Sequence, residues 1–212
     1  MRRTKEMREQ GAKHPTRDLI IQAAATIMKQ KGVAALHIDD VLEATGLTRG
    51  AMYHHFENVD ELRESALLAT YAEGVNANIA YVRNVLASSK TSEDFRQGVL
   101  QANINYTQNE ELREVRKLRA HAMALTATAS NLRNQIAAEQ QRLTNEYIAV
   151  ITEAQRNGWA RKTISPHTLA TFIQAYSFGV IIDDVSSEHV DIDNWAQLIA
   201  DFFEACVFLP QK

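Results

Sequence analysis

Seven histidines, one cysteine and 26 acidic residues give this 212-residue chain the raw material for metal or acid–base chemistry. Their spacing does not assemble it. The chain has no H-E-x-x-H metal helix, no G-x-S-x-G nucleophile elbow and no phosphate-cradling G-x-x-x-x-G-K-[ST] loop. His54 and His55 are adjacent, so on a helix they project about 100° apart and cannot readily share an ion. Glu188, His189, Asp191 and Asp193 form the most ligand-like cluster, in a stretch whose composition suits a solvated loop. Cys206 falls on an apolar stripe, where a thiol behaves as a small hydrophobe, and a single cysteine excludes an internal disulfide framework. No catalytic, metal or cofactor site is expected, and the chain reads as a non-enzyme.

A different chemistry is offered between Thr48 and Phe56. If Thr48 caps a short helix, Met52 and Phe56 fall together on its inner side, and Arg49, Gly50, Tyr53 and His54 occupy a connected outer arc. An arginine fork there is able to bond a guanine edge bidentately. The two amphipathic rings are able to reach phosphate or a thymine methyl. Gly50 removes bulk where another backbone would approach closely. Geometry alone leaves two readings open, a DNA-reading helix and an ordinary solvated one.

Charge distribution adds to this. Residues 1–62 hold nine Lys/Arg and nine Asp/Glu, whereas residues 63–212 hold 14 and 17, so the formal net charge of −3 resides in the second part. Residues 1–17 carry Arg2, Arg3, Lys5, Arg8, Lys13 and Arg17 against only Glu6 and Glu9, without apolar periodicity. A flexible basic arm over 1–14 would attract phosphates by counterion release; a merely solubilising tail has the same composition. No apolar run follows this basic start, so it does not read as a secretory signal, and a cytoplasmic protein is expected. The longest uncharged stretch, 163–182, contains Ser165, His167, Thr168, Thr171, Gln174 and Ser177, which favours a buried helix over a membrane span.

The elements that must position these residues are helical throughout. Apolar residues recur at i, i+3, i+4 and i+7, and strand-like alternation is nowhere sustained, so the fold class is all-α, with about nine helices. The spacing predicts a first helix from Thr16 to Lys31 ended by Gly32, a second bearing Ile38, Val41 and Leu42 and stopped at Gly46, and a third capped by Thr48. Asn58 is placed to cap a long fourth helix. Later segments carry Phe95 to Tyr106, Leu112 to Leu125 and Leu132 to Val150, the last broken at Asn157 and Gly158. Ser165 and Pro166 open an eighth helix, and Asp191 to Leu209 holds a ninth.

The stretch from Leu19 to Leu62 resembles the DNA-binding domain of the tetracycline-repressor (TetR) family. The matching positions are Ala23, Ala24, Gly32, Asp40, Val41, Ala44, Gly46, Leu47, Thr48, Gly50, Tyr53, His55, Phe56 and Leu62. The resemblance implies a three-helix helix-turn-helix domain over 15–62 and a helical ligand-binding and dimerisation domain over 63–212. It implies a ligand-responsive transcriptional regulator, a repressor released from a palindromic operator by a small organic effector. The alternatives are a co-repressor-dependent regulator or activator, or a helical adaptor without DNA binding.

Carried over by position, Thr48 caps the recognition helix and touches phosphate, Arg49 reads a base edge and Ala51 sits against the groove. Tyr53 and His55 bind phosphate, and His54 stands where relatives vary and often touch DNA. Three positions depart from the pattern. His37 replaces the usual Ser or Thr cap, a loss of about 1 kcal/mol. Asp39 lies where some relatives carry a base-reading arginine. Val59 replaces a phosphate-contacting lysine, which lowers the salt slope by about one unit.

For the second domain, the resemblance implies a homodimer in which helices eight and nine pair with their symmetry mates through Phe172, Tyr176, Val180, Trp195, Leu198, Phe202 and Phe203. The two reading heads then address half-sites about 34–36 Å apart. An effector pocket is expected among helices four to eight, with Tyr106, His121, Gln140, Tyr147, Phe172 and Tyr176 as candidate lining. Asp183 and Asp184 either meet a cationic effector or are simply solvated.

Overall fold

The computed structural model describes residues 14–127 and 130–210, so the basic arm expected over 1–14 lies, up to Lys13, outside the described residues. The described chain is all-α, and its one β-type feature is an isolated antiparallel bridge between Ala160 and Phe208. The contacts divide it into two compact units, the first ending at Thr70 and the second running from Tyr71.

The first unit holds α1 (Pro15–Lys31), α2 (Ile38–Thr45), α3 (Arg49–His55) and the start of α4 (Val59–Ser88). Pro15 opens α1, where its missing N–H costs nothing. Gly32 closes α1 with φ 87°, and Gly46 closes α2 in the left-handed region with φ 69° and ψ 14°, donating its N–H to the Leu42 carbonyl at 2.8 Å. That turn lets α3 follow α2 after three residues, Gly46, Leu47 and Thr48. Asn58 caps α4 by accepting from the Glu61 N–H at 2.9 Å, while the Glu61 carboxylate accepts from the Glu57 N–H at 2.7 Å. His37, by contrast, gives α2 no side-chain cap, as its residue type predicts. Ile20, Ala24 and Met28 of α1, Val41 of α2, Met52 of α3, Phe56 and Leu62 are all essentially solvent-free and form one core.

The second unit holds the rest of α4 and α5 (Ser92–Gln108), α6 (Glu110–Leu125), α7 (Ser130–Arg156), α8 (Pro166–Gly179), a single turn α9 (Ile181–Asp184) and α10 (Ile192–Phe202). Caps mark three of the starts. Thr91 and Asp94 form a reciprocal capping box on α5, Ser165 accepts from Thr168 N–H at 3.1 Å ahead of α8, and Asp191 accepts from Asn194 N–H at 2.8 Å ahead of α10. Gly158, with φ 73°, ends α7. α7 packs along α8, and α10 packs on α5. Phe95, Ile151, Ala154, Leu169, Ala170, Phe203 and Phe208 belong to one buried apolar cluster.

The ninth predicted helix is shorter than its apolar stripe. The α-helix stops at Phe202, and a π-helical turn, Phe203–Val207, follows. The wider turn inserts Phe203 and Val207 into the core ahead of Phe208, a change of phase that a fixed 3.6-residue period cannot represent.

Close packing of α4 on α5 sets a sharp requirement at Gly98. A Cβ there would meet Cγ1 of Val85 at 2.9 Å, and valine has little rotamer freedom with which to yield. Ala is the better helix former by about 1 kcal/mol, yet the clash should outweigh it, since overpacking costs about 1–3 kcal/mol. Gly98→Ala should therefore lower the denaturant midpoint without changing the m-value. A raised midpoint would mean that the two helices separate freely.

Candidate nucleic-acid interface and interior polar cluster

Seven residues of α3 create the first candidate site. The Thr48 hydroxyl accepts from the Ala51 N–H at 3.2 Å and fixes the start of the helix. Met52 is fully buried and Phe56 nearly so, which points the opposite arc outward: Arg49, Gly50, Tyr53 and His54 are exposed, and Ala51 and His55 are half-buried. Gly50 is not required by its own surroundings. A Cβ there would meet only the Thr48 hydroxyl, at 3.9 Å, and its φ is not in the left-handed region.

The electrostatics of this face are unusual in one respect. Arg49 forms an ion pair with Asp39 across the turn, both side chains remaining largely exposed. The residue type at position 39 thus faces the arginine rather than replacing it. Arg17 lies with its guanidinium 4.9 Å from the Phe56 ring centroid and donates to the Ser65 hydroxyl at 3.3 Å, which ties α1 to α4. His55 sits between His54, at 5.1 Å between ring centroids, and His14, at 6.2 Å. Partial burial, and then the neighbouring His54, His14 and Arg17, hold its imidazole below the usual value of 6.5.

The second site lies inside the second unit. Tyr71 donates to the side-chain carbonyl of Gln140 at 2.5 Å, Gln140 donates to Gln174 at 2.5 Å, and Gln174 donates to the Thr144 hydroxyl at 3.2 Å and the Ala170 carbonyl at 3.0 Å. Tyr176 donates to the Asn103 side chain. Burial pushes the Tyr147 hydroxyl up to about 12 and raises Tyr176 as well, so both phenols stay protonated at neutral pH. Among the expected lining residues, Tyr106, Tyr147 and Tyr176 lie within electrostatic range of one another, and Gln140 belongs to the relay from Tyr71 to Thr144. His121 does neither: it is exposed on α6. Phe172 is 43% exposed and stacks outward against Phe202 at 4.7 Å. Tyr71, Asn103, Arg119 and Gln174 belong to the cluster and were missed. The tyrosine stripe was legible, but amides and an arginine on helices default to solvent when read by residue type.

Asp184 is not solvated. Arg116 clamps it with two bonds of 2.6 and 2.5 Å, and Arg113 approaches at 3.4 Å. The side chains of Arg116 and Asp184 are 4% and 3% exposed, and Arg116 also donates to the Tyr106 carbonyl at 2.8 Å. Asp183 instead accepts from the Val190 N–H at 2.7 Å in the following loop. Of the residues expected at a subunit interface, Val180 and Phe203 are buried in the chain's own core, Tyr176, Trp195 and Phe202 are half-buried, and Phe172 and Leu198 are exposed. Ile182 and Val185 extend the exposed apolar surface, at 71% and 72%. Among the described residues no group of histidine, cysteine and carboxylates is arranged to hold a metal ion, and no helix is long and apolar enough to cross a membrane.

A short capped helix set after a three-residue turn, with its polar arc outward, defines a helix-turn-helix unit. Residues 20–66 match the family model described as bacterial regulatory proteins, tetR family. Over 67 residues it is 42% identical to the HTH-type transcriptional regulator TtgR of Pseudomonas putida, covering 32% of this chain and 30% of that one. Over 51 residues it is 33% identical to the HTH-type transcriptional repressor KstR2 of Mycolicibacterium smegmatis, covering 24% and 25%. Less than a third of each relative is therefore matched. The fold extends further: a TetR-family transcriptional regulator from Cytophaga hutchinsonii superposes with a TM-score of 0.69 over 93% of this chain and 96% of that one, at 18% identity.

Breaking the Arg116–Asp184 pair should be costly, because it strands a buried charge. Asp184→Ala should destabilise the chain by about 3–5 kcal/mol, and Arg116→Met combined with Asp184→Leu by much less. The bonds from Arg116 hold the Asp184 carboxyl below its usual 3.8. Its stabilisation is therefore complete above pH 3.8 and disappears as pH falls through the lower folded value. Acid unfolding monitored by circular dichroism should show this component absent from the double variant.

Proposed function

We propose that this chain is a ligand-responsive transcriptional repressor that binds a palindromic operator as a homodimer in the cytoplasm and is released by a small organic effector. It is not an enzyme on this reading. The observation that carries it is the outward arc of α3, held over buried Met52 and Phe56. On this arc Arg49 reads a base edge, Thr48, Tyr53 and His55 contact phosphate, Ala51 and Gly50 line the groove, and His54 reaches DNA beside them. Exposed Phe172, Leu198, Ile182 and Val185 support pairing of two copies, which would remove these large apolar side chains from water.

Fluorescence anisotropy against fragments from the protein's own upstream region, across a salt series, tests this directly. Tight, salt-sensitive binding to one fragment is expected, and Arg49→Ala should weaken it by about 1–3 kcal/mol while relaxing preference at one base pair. Equal, weak binding to every fragment, unaltered by Arg49→Ala, would refute sequence reading.

Gly50→Ala separates fold from function. The space around Gly50 admits a methyl group, so stability should hold or rise by up to about 1 kcal/mol. Operator affinity should nevertheless fall, because the added methyl faces the groove. Unchanged affinity would place the DNA backbone elsewhere.

His55 gives the pH dependence its sign. The ring is neutral in the free protein because its pKa is depressed, and a phosphate beside it favours the protonated form. Binding should therefore take up protons and tighten as pH falls from about 8 to 6. His55→Gln should flatten that slope. Stability moves the other way: the neutral ring's contribution is complete above 6.5 and is lost as pH falls through the folded value.

A further inference from the structure

Two neighbouring carboxylates open α2 and meet different partners. Asp40 reaches back to Lys31 at the end of α1, at 3.2 Å. Asp39 reaches forward across the turn, its Oδ1 accepting from Nη2 of Arg49, the first residue of α3. The Asp39 and Arg49 side chains are 79% and 58% exposed. An ion pair so open to water adds little to stability, because solvent screens it and two side chains must be held still. Nor does α2 need a second acid to complement its N-terminal dipole, since Asp40 occupies the same first turn. What the pair does change is the arginine that α3 presents on its outer arc.

The change follows from donors and acceptors. A guanidinium is a rigid fork of N–H donors, and the bond to Asp39 uses one of them. A guanine edge takes two more, at O6 and N7, so Arg49 can read a guanine without releasing Asp39. The carboxylate then restrains a long side chain that otherwise samples many rotamers, and it stays neutralised by its partner. DNA without a guanine at that position offers Arg49 no such pair of acceptors. The arginine is drawn instead to phosphate, and its departure strands a bare carboxylate among the phosphate charges. That cost falls on the wrong sequences.

We propose that Asp39 is a positioning residue that sets the base preference of α3: it holds Arg49 for a guanine and penalises every sequence on which Arg49 must let go. This rests on the DNA-reading function proposed above and names the residue that determines its selectivity. Asp39 thereby lowers affinity for DNA in general and lowers it least at the operator.

The test is fluorescence anisotropy of the full chain on three duplexes. They are the bound upstream fragment, the same fragment with the base pair that Arg49→Ala identifies replaced, and one of unrelated sequence. Asp39→Ala should tighten the replaced and unrelated duplexes about three- to fivefold and the original fragment less, so that preference for the original falls. Its denaturant midpoint should stay close to that of the parent chain. Asp40→Asn removes the same charge one residue on but leaves Arg49 its partner, so it should move all three duplexes by one common factor. With Arg49 already alanine, Asp39→Ala should change preference no further.

Unaltered preference in Asp39→Ala would overturn the proposal. So would a loss of the same size when Arg49 is already alanine, since Asp39 would then act on DNA by itself. A lowered midpoint with equal weakening on every duplex would mark a structural role and overturn it too. These results leave the regulator reading standing. That reading fails separately, when the parent chain prefers no fragment or Arg49→Ala alters nothing, and the role of Asp39 falls with it.

Discussion

A seven-residue helix has almost no stability of its own, since isolated helices below about 12–15 residues are marginal in water. Everything that α3 offers on its outer face therefore depends on what lies beneath it. Met52 and Phe56 are removed from solvent against Ile20, Ala24 and Val41, each contributing about 1.5–3 kcal/mol of transfer free energy. The Thr48 cap adds about 1 kcal/mol and the left-handed Gly46 sets the turn. Burial, rather than the cap, is the larger effect. It is also what fixes rotation: with Met52 and Phe56 pinned inward, Arg49, Gly50 and Tyr53 have no other direction to face. Arg17, stacked on the outer side of Phe56 and bonded to Ser65, closes the remaining edge of that anchor.

The interior of the second unit follows a different rule. Polar groups there are tolerated because nearly all are paired: the Tyr71–Gln140–Gln174–Thr144 relay is closed within the protein, and Arg116 and Asp184 satisfy each other along with the Tyr106 carbonyl.

Legibility in the sequence divided along the distance between partners. Elements fixed by neighbours in the chain were readable: the cap at Thr48, the stop at Gly46, the Ser165–Pro166 start and the inward pair Met52 and Phe56 all depend on residues within four or five positions. Pairings set by the fold were not. Asp184 meets Arg116 across 68 residues, and Gln140 meets Gln174 across 34, distances at which periodicity says nothing. His121 lay near the edge of an apolar stripe and fell on its wet side; Phe172 belonged to a stripe wide enough to be exposed along one margin. The π-helical turn at Phe203 shifted the register of the last stripe, so part of the apolar surface expected to face a partner faces the chain's own core instead.

Helix α4 is the element through which an interior ligand would have to act. The same 30-residue helix contributes Leu62, Ala66 and Leu67 to the core of the first unit and Tyr71, Val75 and Ile79 to the core of the second. On the proposed function, an effector bound beside Tyr71 would alter DNA binding only if its affinity differed between two arrangements of that helix, and the coupling would be reciprocal: operator DNA would weaken the effector by the same factor. Tyr71 has the position for this. Its hydroxyl donates to Gln140, 69 residues away on α7, which ties α4 to the polar interior of the second unit.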